Sequence, residues 1–83
     1  MIIDENWAVD PELVRGFFEE FPNAEATHDG FLLDSCKVRL TPIDATLLGK
    51  WSMKRTIIRI EGPEEAVNAL YRKFFLRFLS AGG

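Results

Sequence analysis

One cysteine and one histidine are all the thiol and imidazole chemistry that these 83 residues offer. Cys36 alone makes no intramolecular disulfide framework and no cysteine-rich zinc site, and it suits a reducing compartment. His28 with scattered acids is a poor transition-metal set. A glycine-rich phosphate loop is also absent: Gly62 leads into Pro63, Glu64 and Glu65, whose charge repels phosphate from the helix start. No apolar run approaches the length that spans a bilayer, and the opening MIIDENW carries acids where a signal peptide needs Lys or Arg before an apolar run. The expectation is a soluble cytoplasmic protein with no cofactor, no metal and no catalytic constellation.

With 47% apolar residues, the chain can build one small core and has no room for two independent domains, so residues 1–83 are read as one domain. The net charge of −3 excludes both a strongly basic nucleic-acid coat and a disordered acidic tail. The charge is uneven along the chain. Residues 1–49 hold ten Asp and Glu against Arg15, Lys37 and Arg39, whereas residues 50–83 hold seven Lys and Arg against Glu61, Glu64 and Glu65.

The strongest local pattern is Thr56 to Leu79. Thr56, Ile58 and Ile60 share one face of a strand, with Ile57 and Arg59 on the other. Gly62-Pro63 breaks the strand, and Pro63, Glu64 and Glu65 are a favourable helix start. Val67, Leu70, Tyr71, Phe74 and Phe78 then form one apolar stripe, with Leu76 almost opposite. Earlier in the chain, Asp10-Pro11-Glu12 starts a first helix, in which Leu13, Val14, Phe17, Phe18 and Phe21 fall on one broad face until Pro22-Asn23 ends it. Ile2, Ile3, Trp7 and Val9 allow a short edge strand ahead of it.

Between the helices, residues 24–28 and 31–40 flank Asp29-Gly30, which predicts a tight hairpin of type I′. Cys36, Val38 and Leu40 alternate with Lys37 and Arg39, whereas the phase of Phe31, Leu32 and Leu33 is ambiguous; a bulge or bend at Asp34-Ser35 reconciles the two halves. Residues 42–50 read either as a short helical turn capped by Asp44 or as the extended tip of a hairpin. Trp51 to Glu61 is the longest strand candidate. The expected fold is α+β, a two-layer sandwich in the order (β)αβββα, with two helices on one face of an antiparallel sheet of three to four strands.

Such a sheet leaves one face open. The same parity that turns Val38 and Ile58 inward carries Lys37, Arg39, Arg55, Ile57, Arg59, Met53 and Trp51 outward. Trp, Met and Arg are enriched in protein interfaces, so this set, with Leu76, is read first as an interaction surface, for a homodimer or another protein. The alternative is single-stranded nucleic acid, or another anionic ligand, on a basic sheet face. A third reading starts from Gly82-Gly83, which resembles the tail of ubiquitin-like modifiers and sulfur carriers. That resemblance implies a carrier protein and gains weight if the Phe74–Phe78 segment is extended.

The remaining polar residues read as structural. Cys36 shares the inward face and is expected to be a buried, inert thiol. His28 is a turn residue, and Asp4, Glu5, Asp10, Glu19 and Glu20 lack the ligand spacing of a cation loop.

Overall fold

The computed structural model describes residues 1–47 and 51–81, with side chains described for 1–43 and 54–79. Its elements are β1 (Ile2–Trp7), α1 (Pro11–Glu19), β2 (Glu25–Ala26), β3 (Gly30–Leu33), β4 (Cys36–Leu47), β5 (Trp51–Glu61) and α2 (Glu64–Ala81). The strands form one antiparallel sheet in the order β1-β5-β4-β3-β2. The chain is thus an α+β domain, with five strands where sequence alternation predicts three or four.

The extra strand arises at Asp34-Ser35. These residues sit at φ 49° and 64°, and Leu33 lies opposite Cys36. Two central residues with positive φ make the turn whose twist matches its flanking strands, so the run 31–40 folds back on itself and does not merely bend. Asp29-Gly30, where that turn is expected, has no left-handed residue. There the Thr27 N–H donates to the Gly30 carbonyl at 2.8 Å, leaving His28 and Asp29 as the loop. Gly30 is needed for a different reason: a Cβ at this position would run into the Val38 carbonyl on β4.

Asp10 caps α1, its Oδ1 accepting the Glu12 N–H at 2.9 Å, with Pro11 in the first turn. Val14, Phe17 and Phe18 are buried, but Leu13 is 62% exposed and does not belong to the apolar face predicted for it. At about 100° per residue it stands roughly 90° from the centre of the stripe, which Val14, Phe17 and Phe18 already fill. In α2 the predicted stripe is buried at Val67, Leu70, Phe74 and Phe78. Phe18 joins the layers by stacking on Phe31 of β3 at 5.7 Å and on Phe74 of α2 at 6.3 Å. Both helices and the inward residues Val38, Ile58 and Ile60 therefore share one core. Among the described residues Thr56 is the buried polar exception, and its hydroxyl donates to the Val9 carbonyl at 2.8 Å. Among the described residues, no helix is long and apolar enough to cross a membrane.

The extended reading of 42–50 holds for Pro42–Leu47, which pair with Trp51–Thr56; residues 48–50 lie outside the described ones. The β4–β5 ladder runs through eleven pairs, from Lys37–Glu61 to Leu47–Trp51. β1 stops at Trp7–Thr56 and β3 at Gly30–Arg39, so the five outer pairs have no third strand among the described residues. They form a two-stranded arm.

The arm's edges are blunted. The Leu40 N–H donates to the Asp29 carbonyl, so even-numbered residues of β4 turn their backbone groups towards β3. Pro42 is next in that phase, beyond the end of β3, and its missing N–H faces the free edge at no cost to the ladder. On the other side, the mutual bonds between Met1 and Gly62 fix the even-numbered residues of β5 towards β1. Lys54 is the first of these past β1, and a lysine on a free edge discourages pairing with another strand.

Candidate interaction face

The helix-free face is built in rows that cross the sheet. Asp4, Arg59, Arg39 and Gly30 form one row; Ile2, Glu61, Lys37, Leu32 and Glu25 form the next. Towards the arm come Asn6–Ile57–Thr41 and then Arg55–Ile43, with Ile57 and Ile43 half-buried. Lys37, Arg39, Arg55, Ile57 and Arg59 are thereby brought together on one face. Trp51 and Met53 occupy the same register phase on β5, but their side chains lie outside the described ones. Leu76, 58% exposed, is on the outer side of α2, in the helix layer, and does not join this surface.

The face is not the basic platform that parity among Lys37, Arg39, Arg55 and Arg59 suggests. Asp29 accepts from Arg39 Nε at 3.1 Å, and Glu61 pairs with an Arg59 guanidinium nitrogen at 3.7 Å. Arg55 Nε donates to Asn6 Oδ1 at 2.8 Å. Partial desolvation raises the Asp29 carboxyl, but the Thr27 hydroxyl donating to it, His28 and Arg39 outweigh this and hold it below its ordinary value. Counting Asp4 and Glu25 as well, four cations stand among four carboxylates. The residues that sequence reasoning missed are the acids, and the signal was available: Ile3 and Trp7 share a parity in β1, which puts Asp4 on the other face.

Between Lys37, Arg39, Arg59 and Glu61 is a depression of about 110 Å³, small beside the few hundred Å³ of a typical ligand pocket. The other candidate groups disperse. Cys36 is buried, and desolvation and Asp34 push its thiol pKa up; His28 is at the opposite end of β3, on an exposed turn, so the two form no nucleophile–base pair. Glu5 points into the helix layer, where its Oε1 accepts from Trp7 Nε1 at 2.9 Å and from the Tyr71 hydroxyl at 2.5 Å. Glu20 pairs with Arg77, and Asp10 is committed to its cap. Among the described residues, no three His, Cys, Asp or Glu side chains cluster as metal ligands. The segment Phe74–Phe78 is helical, without the extended conformation that would favour the carrier reading, and Gly82-Gly83 lies outside the described residues.

No protein-family model matches the chain, and no curated protein or solved structure does. The face must be interpreted on its own chemistry.

Proposed function

We propose that this chain is a small non-enzymatic interaction module that associates with a second copy of itself through the open face of the sheet. The observation that carries the reading is the pairing of charge within that face. Arg39 and Arg59 bring their own carboxylates, so covering them strands no isolated charge, which is the usual obstacle to burying a charged surface. Next to this row, towards the arm, the face offers the half-buried Ile57 and Ile43 to a partner. Blunted edges at Pro42 and Lys54 direct contact to the face. A nucleic-acid backbone on the same surface would bring its phosphates against Asp4, Glu25, Asp29 and Glu61 and would gain little from counterion release.

Sedimentation equilibrium over a wide concentration range tests this. A dimer mass is expected, with Ile57→Glu shifting the protein to monomer while its circular dichroism is unchanged. A monomer mass at the highest concentration would overturn the reading.

A further inference from the structure

We propose that the outer edge of β1 accepts an extended, basic segment of a partner protein as an added strand of the sheet. This is separate from self-association, because it uses the side of the sheet and not its open face.

β1 is a terminal strand of the sheet and pairs with β5 through six consecutive residues, without a bulge. The mutual bonds between Met1 and Gly62 set its phase, so Ile3, Glu5 and Trp7 exchange backbone bonds with β5. The N–H and C=O groups of Ile2, Asp4 and Asn6 therefore point away from the sheet. None of these three is a proline or a lysine, the residues that blunt the arm at Pro42 and Lys54. The opposite edge offers far less, since β2 has two residues. A row of outward backbone groups is the template for strand addition, in which main-chain bonds supply affinity and alternate side chains supply selectivity.

The surroundings of the edge define both faces of the incoming segment. On the helix side Ile3 and Trp7 are half-buried, and Tyr71 and Phe75 of α2, also half-buried, extend the apolar surface; the Trp7 and Phe75 rings meet edge to face at 5.8 Å. Every second residue of the segment is accordingly apolar. On the open face the segment lies beside Ile2, Asp4 and Asn6. Asn6 is held by Arg55, and Arg59, opposite Asp4, is engaged by Glu61 at 3.7 Å. The Asp4 carboxylate makes no ion pair among the described residues. A lysine or arginine across from Asp4 gains a partner that the sheet itself leaves unpaired.

The same acid disfavours a second copy at this edge. An antiparallel pairing of two β1 strands that uses all three outward residues has its two-fold axis at Asp4, which sets Asp4 directly against Asp4. The other end strand of the sheet carries Glu25 and repels β1 as well. The occupant is therefore a basic strand from a different chain. One short strand is a small contact, which places the complex among weak, transient ones.

The test is a titration of the isotope-labelled chain, followed by nuclear magnetic resonance, with the capped peptide Ser-Thr-Val-Lys-Val-Thr-Ser, whose lysine falls opposite Asp4 and whose valines fall on the helix side. The Asp4 and Asn6 amides are expected to move downfield and to exchange with solvent at least ~10-fold more slowly, because they gain the bonds that Ile3 and Glu5 already have. A peptide with glutamate in place of lysine should bind about tenfold more weakly. Asp4→Pro removes the outward N–H without touching the β5 ladder, so binding should be lost while the near-ultraviolet signal of Trp7 is kept. Should that variant not fold, Asp4→Lys serves, and it should reverse the order of the two peptides. Unmoved Asp4 and Asn6 amides at millimolar peptide would overturn the proposal, as would equal binding of both peptides or slowed exchange of these amides with rising protein concentration and no peptide. The mass of the chain without peptide is read separately, so failure here leaves self-association through the open face standing.

Discussion

Arg39 and Arg59 lie directly opposite each other at the centre of the open face, and each guanidinium engages a different carboxylate, Asp29 at 3.1 Å and Glu61 at 3.7 Å. Like charges facing across a ladder are unfavourable by themselves. The hydrogen-bond phase of the sheet eases the conflict. Arg39 and Arg59 form a hydrogen-bonded pair, with Cα atoms about 5.5 Å apart, whereas Asp4 faces Arg59 in the closer, non-hydrogen-bonded arrangement of about 4.5 Å. β1 thus delivers an acid nearer to Arg59 than the competing arginine is.

If β1 and Glu61 keep the face from acting as a cation patch, then Asp4→Asn with Glu61→Gln should create one. The parent protein is expected to pass through a heparin column at low salt, and the double variant to be retained and to elute as salt rises, since retention follows the number of phosphate- or sulfate-facing cations. Equal elution would show that the acids do not govern the field over the face.

Much of this was legible in the sequence, and what was not has identifiable causes. The helix starts at Asp10 and Pro63 and the inward set Val38, Ile58 and Ile60 follow from capping chemistry and alternation, which are local. The turn at Asp34-Ser35 was hidden because neither residue is glycine, while Asp29-Gly30 carried the stronger dipeptide signal yet owes its glycine to the close approach of β4. The parity of Ile3 and Trp7 places Asp4 on the open face, but its pairing with Arg59 is not legible locally, because most of the chain separates the two. Only strand order, a non-local property, brings them together.

The Tyr71–Glu5 contact makes a pH-dependent prediction. Burial, and then the hydrogen bond and charge of Glu5, push the Tyr71 pKa up to about 12. The neutral phenol is the form the fold favours, so its contribution to stability is complete below the ordinary tyrosine pKa of about 10 and is lost as pH rises through the raised value. Glu5→Gln should lower the Tyr71 pKa in an ultraviolet absorbance titration and flatten the fall of stability in that alkaline window. An unmoved titration would show that desolvation alone sets the shift.

On α1, neighbouring apolar residues should respond very differently. Leu13 is 62% exposed, so Leu13→Ala should change stability by less than about 0.5 kcal/mol. Phe18 is fully buried between Phe31 and Phe74, and Phe18→Ala should cost about 3–5 kcal/mol through lost transfer energy and a residual cavity. Urea unfolding of the two variants checks the contrast; similar losses would mean that Leu13 is covered in solution, by a partner or by a second copy.

The two hairpin turns allow a sharper test, because each pairs an aspartate with a residue whose demand is opposite to its identity. Ser35 holds φ 64°, a left-handed conformation that costs a residue with a Cβ on the order of 1 kcal/mol and glycine almost nothing. Ser35→Gly should therefore stabilise the domain by up to about 1 kcal/mol, since the relief of strain exceeds the added entropy of the unfolded chain. Gly30 has no left-handed backbone, and by conformation alone alanine would suit it better. Its added Cβ, however, would occupy the space of the Val38 carbonyl, and strands β3 and β4 would have to separate. Gly30→Ala should destabilise by about 1–3 kcal/mol or more, with the loss read from the urea midpoint at unchanged slope. The pair of variants separates the two uses of glycine: if Gly30→Ala were neutral, the close approach of β3 and β4 would not be what requires a glycine at that position.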